Sequence, residues 1–222
     1  MVGAWPVWQK IRSLNPGRWL PLRDALWPIF HKPAPELQVD SELELRSLRW
    51  EDTPRLFQLI ESNRSHLQTW LSWVNKVRSV DDTRSFMHYL DYRDIFSGRW
   101  VYGIWYKEDM VGLMDFNEGE REFMQVSIGY WLSREHQGKG IITRCVRRAL
   151  DYAFEEHRLR KVLIKCATGN LRSQAVPLRL HFAWEGIEHE SGTLHGEPVN
   201  MMIYAMRYHD WKELREEGSV NP

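Results

Sequence analysis

Two glycines one residue apart, Gly138 and Gly140, stand beside Gln137 and Lys139 at the start of a helix-like run. The first backbone N–H groups of a helix have no partner within the helix, and the helix dipole places positive potential on them. Glycines let an anion approach those groups without a side chain in the way. The turn therefore fits an anion, in particular a phosphate, with Lys139 at its rim. An ordinary tight turn is the alternative, because a Gly-x-Gly pair alone is a weak signal.

A strand must lead into this turn and a helix must leave it. Residues 123–133 are rich in β-branched and aromatic types and predict the strand. Residues 141–157 predict the helix, because their apolar positions recur at helical spacing. The sequence therefore predicts a strand–turn–helix junction over 123–157.

Other segments carry the same two kinds of pattern. Helices are predicted over 51–63, 63–74 and 79–98, the last opening with a Ser79 to Asp82 capping arrangement. Strands are predicted over 43–50, 99–107 and 110–117. Strands and helices in this order predict an α+β domain.

The composition limits the class of protein. The 222 residues carry 30 basic and 30 acidic side chains, so no global field attracts nucleic acid or an anionic membrane. Two cysteines form no disulfide framework and have no metal-type spacing, so no metal is expected. No segment has the roughly 20 apolar residues of a membrane helix. These features predict a cytoplasmic protein.

The first forty residues differ from the rest. Residues 1–39 contain four tryptophans, six prolines and mostly basic charges, so we separate them as an N-terminal arm. The arm either docks on a membrane surface or partner, or packs on its own domain. The domain is expected to span residues 40–208, followed by a charged C-terminal tail over 209–222.

The stretch GYWLSREHQGKGIIT (129–143) resembles the acetyl-CoA-binding segment of the GNAT superfamily of N-acetyltransferases. It is most similar to the branch that acetylates ribosomal proteins at their N-termini. The family loop reads Gln or Arg, two residues, Gly, one residue, Gly or Ala; here Gln137 and Gly140 match, and Ile142 departs from the last position. Further similar stretches follow in family order: LIESNRSHLQTWLSWV, SVDDTRSF, CATGNLRSQAVP and FAWEGI.

The resemblance implies the GNAT acyl-CoA N-acyltransferase fold, a central, mostly antiparallel, splayed sheet flanked by helices. It implies that the strand end pairs with the pantetheine arm of acetyl-CoA and that the loop amides hold its pyrophosphate. Asn170 would contact the cofactor arm, although sequence alone favours a helix N-cap there. The residues implied to bind the cofactor are Tyr130, Trp131, Leu132, Gln137, Gly138, Lys139, Gly140, Ile141, Ile142, Asn170 and Ser173.

The implied reaction is direct attack of a neutral amine on the thioester carbonyl, so no covalent enzyme intermediate is needed. A strand amide near Trp131 would polarise the carbonyl, and Ser173 would protonate the leaving thiolate. The ribosomal branch carries a Glu as base where this chain has Gly192. On an unbroken strand Glu190 and Glu188 share a face with position 192, so Glu190 is the candidate base. Exposed glutamates on a solvated strand edge are the alternative.

The acceptor is less defined by sequence. Trp70 and Trp73 lie three apart in a segment that borders the acceptor groove in the resembling enzymes, and core packing is their alternative. The expected substrate is a protein N-terminal amine of the ribosomal type. A small-molecule amine, such as a polyamine or antibiotic, and a non-catalytic acyl-CoA-binding protein are the other hypotheses. A homodimer is implied by the resemblance alone.

Overall fold

A computed structural model of the chain describes residues 34–87, 90 and 100–220. Most of the predicted N-terminal arm lies outside these residues. The described residues contain eight strands in one sheet, in the order β1-β2-β3-β4-β5-β6-β8-β7. The strands are β1 (Leu37–Gln38), β2 (Leu43–Ser47), β3 (Trp100–Tyr106), β4 (Asp109–Glu120), β5 (Gln125–Leu132), β6 (Lys161–Ala167), β7 (Ala183–Leu194) and β8 (Glu197–Arg207).

Helices flank this sheet. They are α1 (Thr53–Ser62), α2 (Arg64–Leu67), α3 (Val80–Met87), α4 (Ile141–Asp151), α5 (Leu171–Arg179) and α6 (Tyr208–Val220). A π-helical turn over Tyr152–Glu156 extends α4, and short 3-10 helices cover Trp50–Asp52, Ser72–Lys76 and Arg134–His136. Within the described ranges, none of these helices combines the length and the apolar character that spanning a membrane requires.

Neighbouring strands run antiparallel except for β5 and β6, which are parallel. Parallel neighbours need a long crossover, and α4 supplies it. Their pairing covers only Gln125–Ser127 of β5, and beyond Ser127 β6 continues its ladder with β8 alone. The predicted α+β fold with a mostly antiparallel, splayed sheet is confirmed.

The crossover helix α4 is held by its apolar face. Its Ile141, Cys145, Val146 and Ala149 are at most 1% exposed and belong to the main core. Burying each large apolar side chain contributes about 1.5–3 kcal/mol. The start of α4, and with it the glycine turn, is therefore fixed firmly against the sheet.

The prediction of one helix over 63–74 is wrong. Helix α2 ends at Leu67, and the chain turns before the 3-10 helix begins at Ser72. The guanidinium of Arg64 donates hydrogen bonds of 2.6 Å to the carbonyls of Val74 and Val77, which fold the second piece back on α2. Side-chain capping across the break therefore overrides the helical apolar spacing.

The capping arrangement predicted at Ser79 is confirmed. The Ser79 hydroxyl and the Asp82 carboxylate exchange bonds with the backbone of each other's residue at the start of α3. The helix is described as far as Met87, and the remainder of the predicted span, to residue 98, lies largely outside the described residues.

A helix occupies most of the segment predicted as a charged C-terminal tail. Trp211 on α6 is 8% exposed, packs against Phe154, and donates its indole N–H to Asp151 at 3.1 Å. The helix therefore packs on the domain. The domain boundaries at residues 39 and 208 stay predictions.

Candidate active site

The divergence of β5 from β6 leaves one edge of β5 open beyond Ser127 in the described chain. On the other edge, the N–H of Ser133 donates to the carbonyl of Val111 at 2.8 Å. Along an antiparallel strand, residues that bond to the neighbouring strand alternate with residues whose N–H and C=O groups point away from it. Because Ser133 bonds to β4, Leu132 and Tyr130 turn their N–H and C=O groups away from β4. Both residues therefore present backbone donors and acceptors to the opening, which we call the slot.

This register shows which strand amides near Trp131 face the slot. Trp131 pairs with Leu113 on β4, and its backbone groups point to that strand. The amides available in the slot are those of Tyr130 and Leu132. The side chain of Trp131 is fully buried, so this residue helps to fix the strand.

The glycine turn closes the mouth of the slot. Gly138 and Gly140 have φ values of 75° and 71°, in the left-handed region that glycine adopts without strain. No protein atom lies within 4 Å of a Cβ added at either position, so the space above both residues is open. Gly140 is the N-cap of α4, and Ile141 and Ile142 are its first residues. Lys139 is exposed between the glycines.

A chain of side-chain hydrogen bonds connects this turn to α5 on one side and to α2 on the other. Arg172 on α5 donates to the Oε1 of Gln137 at 2.6 Å, and the Nε2 atoms of Gln137 and His66 are 2.8 Å apart. A glutamine Nε2 can only donate, so the Nε2 of His66 is the acceptor. We call this chain the Arg172–Gln137–His66 link.

The link requires neutral His66. Burial lowers the pKa of His66, the charges of Arg172 and Arg134 act in the same direction, and a hydrogen bond to the backbone of Leu132 opposes them. A bond that favours the protonated ring must end on a carbonyl, so His66 donates to the C=O of Leu132. The sequence analysis missed His66 and Arg172, because their partners are 71 and 35 positions away from them in the chain.

Across the slot, the start of α5 meets β5. Asn170 accepts a bond from the N–H of Ser173 at 3.3 Å, which confirms the N-cap reading. The hydroxyl of Tyr130 donates to the Ser173 carbonyl at 3.0 Å and lies 3.5 Å from the Ser173 hydroxyl. Burial raises the pKa of Tyr130, so its phenol stays protonated. Ser173 is 2% exposed and lies beside the slot-lining strand.

The two tryptophans predicted at the acceptor groove have different surroundings. Trp73 is 3% exposed and belongs to the main core, as its packing alternative predicted. Trp70 is half-buried, and its ring lies 3.3 Å from a Cβ added at Gly169, on the turn that leads from β6 to α5. The structure therefore brings Trp70, but not Trp73, to the junction with Asn170.

The premise behind Glu190 fails on β7. Glu188 pairs with Met201 and Gly192 with Val199, so two extra residues bulge out between them. Glu190 sits in this bulge with a φ of 52°, and its N–H donates to Asn200 at 2.9 Å. Alternation across an unbroken strand therefore cannot place it on the face of position 192. Glu190 is exposed and stays an untested prediction for the base.

The described residues also contain two cysteines and one group of potential metal ligands. Burial raises the pKa of the Cys166 thiol to about 11, and that of Cys145 is also raised. Among the described residues, one group could supply three metal ligands, His209, Asp210 and Glu213, and it lies on the surface of α6. The α6 group lies on a different element from the slot, whereas Cys166 lies close enough to Tyr130 for its charge to raise the Tyr130 pKa.

Comparisons with known proteins agree with this geometry. Residues 42–183 match the acetyltransferase (GNAT) domain family. The ribosomal-protein-serine acetyltransferase of Escherichia coli K12 is 30% identical over 175 residues, 76% of this chain and 94% of the relative. YdaF of Bacillus subtilis 168 is 30% identical over 181 residues, 79% of this chain and 96% of the relative.

Two solved structures share the fold. RimL, a ribosomal L7/L12 α-N-protein acetyltransferase in complex with coenzyme A, has a TM-score of 0.72 at 29% identity, covering 79% of this chain and 99% of RimL. MccE, a microcin C7 self-immunity acetyltransferase in complex with acetyl-CoA and AMP, has a TM-score of 0.74 at 25% identity, covering 81% and 99%. By its family match, its relatives and its slot, the chain belongs to the GNAT acetyltransferase family and is an N-acetyltransferase.

Proposed function

We propose that this enzyme takes an acetyl group from acetyl-CoA and delivers it to the N-terminal amine of a protein. The observation that carries the proposal is the open edge of β5 with the glycine turn at its mouth. The E. coli relative acts on a ribosomal protein, and the RimL structure contains coenzyme A. These relatives support a ribosomal protein as the acceptor.

The slot fits coenzyme A on two physical grounds. The space above Gly138 and Gly140 is open, and the N-terminal amides of α4 suit a pyrophosphate. The outward N–H of Leu132 and the outward N–H and C=O of Tyr130 can pair with the amides of an extended pantetheine arm, as an added strand would. In this proposal Trp131, Gln137, Lys139, Ile141, Ile142 and Asn170 complete the cofactor site.

The proposed chemistry uses few groups. An outward amide at Tyr130 or Leu132 donates to the thioester oxygen, where negative charge develops as the amine attacks. The Ser173 hydroxyl protonates the thiolate that leaves. Its position beside Tyr130 supports this role, because their hydroxyls are 3.5 Å apart and reach across the slot.

Trp70 supports an acceptor site at the β6–α5 junction, since its half-buried ring covers Gly169 there. In this proposal Trp73 acts from the core by holding the segment that carries Trp70. A small-molecule acceptor is the second candidate, and the likeness to MccE favours it, because that structure contains AMP. A panel of both acceptor classes separates the two.

We also propose a cytoplasmic homodimer. Trp184 and Ile187 on the edge strand β7 are 60% and 42% exposed, which supports an interface there. The solution mass, measured by light scattering, tests this part of the proposal.

The direct test is calorimetric titration with acetyl-CoA, followed by a thiol-release assay. The acceptor panel contains N-terminal peptides of ribosomal proteins, polyamines and nucleotide-linked amines. We expect binding with release on the peptides. Binding without release on any amine would contradict the transferase proposal, and failure to bind would contradict the cofactor assignment.

The glycine turn gives a sharper test. Gly140→Ala places a Cβ in the open space and is expected to weaken acetyl-CoA binding at least about tenfold, since a left-handed alanine also costs roughly 1–2 kcal/mol. Gly196→Ala is the matched control: it has a φ of 93° and equally open space, but lies in the β7–β8 turn. If both variants lose similar stability and bind acetyl-CoA equally well, the proposed pyrophosphate site at the glycine turn is refuted.

A further inference from the structure

A buried carboxylate lies on the strand next to the slot. Asp115 on β4 is 4% exposed and interrupts an otherwise apolar stretch between Met114 and Phe116. The amide of Asn117, two residues along the same face, donates to its Oδ2 at 2.9 Å. Burying a carboxylate is costly, so the position calls for a physical reason.

Asp115 leans towards the slot. It pairs with Gly129 on β5, and a Cβ added at Gly129 would overlap its Oδ1. The carboxylate therefore occupies the space over Gly129 of β5, the strand from which β6 diverges. Gly129 is the second residue beyond Ser127, where β5 and β6 part. Asp115 therefore lies next to the point where β5 and β6 separate, which we call the vertex of the splay.

The vertex is where the reactive end of the cofactor is expected. This step rests on the proposed function. With the pyrophosphate at Gly138–Ile142, the pantetheine arm runs back along Leu132 and Tyr130. Its thioester end therefore lies nearest Gly129, opposite Asp115.

Asp115 also faces the correct side of the sheet. The side chain of Tyr130 reaches α5, so its neighbour Gly129 and the paired Asp115 project from the opposite face. Ser127 lies on this face too and pairs with Leu163 on β6.

The face of the sheet that carries Asp115 continues on the other side of the slot. Leu163, Met201 and Ile203 form one buried cluster there, and a Cβ added at Gly192 would meet the Sδ of Met201 at 2.6 Å. Position 192, where the resembling branch carries a glutamate, therefore shares a face with Asp115. Gly192 itself lies on β7, beyond β6 and β8 in the sheet order, on the side of the splay opposite to Asp115.

We propose that Asp115 is the catalytic base of this enzyme and that its carboxylate replaces the one missing at Gly192. The acceptor nitrogen gives a proton to Asp115 while its lone pair forms the bond to the acetyl carbon. The C–S bond breaks with its electron pair on sulfur, and the sulfur takes the proton of the Ser173 hydroxyl. Asp115 then returns its proton to Ser173 through water, which restores both residues. Asn117 is a positioning residue that orients the carboxylate.

The test compares Asp115→Asn with Glu190→Gln, which exchange a carboxylate for an amide at the two candidate positions. We expect Asp115→Asn to lower kcat at least about 100-fold, with the Kd for acetyl-CoA changed less than twofold. Asp109→Asn is the control, because it makes the same exchange at the exposed start of β4, and it should stay within threefold of the wild type in both quantities. The unfolding midpoint, measured in parallel, reports on folding.

Two further variants separate catalysis from structure. Added formate should restore turnover in Asp115→Ala, where it can fill the vacated space, but not in Asp115→Asn. Adding Gly192→Glu to Asp115→Asn should recover at least tenfold of the lost kcat. If Asp115→Asn does not fold, Asp115→Ser is assayed against the same criteria.

The outcomes are distinct. Turnover within threefold of wild type in a folded Asp115 variant, or the large loss in Glu190→Gln instead, would overturn this inference and leave the proposed function intact. Wild-type protein that binds no acetyl-CoA, or that releases no thiol with any amine, would overturn both.

Discussion

The two ends of the proposed site use different parts of the chain: one end consists mainly of backbone groups and the other of side chains. The proposed cofactor end consists mainly of backbone: the open edge of β5, two left-handed glycines and the start of α4. The proposed acceptor end consists of side chains on separate elements, with Trp70 on a turn and Asp115 on β4. A backbone site fixes the ligand through geometry that many sequences can supply, whereas a side-chain site changes with single substitutions.

This contrast fits the chemistry at each end. The cofactor is expected to present a constant arm and pyrophosphate, which backbone amides can bind. An acceptor amine varies from enzyme to enzyme, and its recognition needs exchangeable side chains. The proposed use of Asp115 in place of a carboxylate at position 192 is the kind of change that the acceptor end permits, because both positions lie on one face of the sheet.

After that of Asp115, the largest effect is expected at Ser173, where the two ends meet. Ser173→Ala should lower kcat about 10- to 100-fold, because the leaving thiolate loses its proton donor. Binding of acetyl-CoA should be unchanged, since the Asn170 cap and the Tyr130 bond both use the backbone of residue 173. Steady-state kinetics and calorimetry measure the two quantities.

Asn170→Ala is the matched control for Ser173→Ala. It removes an N-cap, which typically costs about 1 kcal/mol, and should lower the unfolding midpoint while kcat falls less than in Ser173→Ala. A Ser173→Ala enzyme with normal kcat would remove the hydroxyl from the mechanism.

The same contrast explains what the sequence could reveal. The strand, the glycine turn and α4 are consecutive in the chain, so local patterns and one motif predicted them together. Ser79 and Asp82 formed the expected cap for the same reason. Local signals suffice where the site is made from one continuous stretch.

The acceptor end escaped prediction because its geometry depends on distant partners. The bulge that displaces Glu190 arises from the register of β7 on β8, which no local pattern encodes. The break after α2 depends on Arg64 reaching the carbonyls of Val74 and Val77. Asp115 did leave a local signal, a charge inside an apolar strand, although only the pairing with Gly129 reveals where it points.

A smaller effect is expected from the Arg172–Gln137–His66 link, which connects α5 to α2 through the glycine turn. Arg172→Ala should weaken acetyl-CoA binding about 3- to 10-fold, because Gln137 loses the partner that holds the turn in place. Gln137→Ala should do the same, and the double variant should be no weaker than either single one. Binding free energies from calorimetry complete this double-mutant cycle. Strictly additive losses would show that the two side chains act independently.

The smallest effect concerns the protonation of His66. Its pKa is lowered in the folded state, so the folded protein binds fewer protons at this site than the unfolded chain, whose ordinary value is about 6.5. The stabilisation by the link is therefore present above pH 6.5 and is lost as the pH falls through the folded pKa. Protonation turns the Nε2 acceptor into a donor that faces the amide of Gln137, with Arg134 and Arg172 nearby.

His66→Gln keeps an acceptor for Gln137 but cannot titrate. We expect the wild type to melt about 1–2 °C above this variant at pH 7.5, and the difference to disappear or reverse at pH 5, since one neutral hydrogen bond contributes about 0.5–1.5 kcal/mol. Melting curves from pH 5 to 8 measure the difference, and effects that are common to both proteins cancel in it. A difference that is constant over this range would mean that the protonation of His66 does not control the link, and the slot would then be held by Arg172 and Gln137 alone.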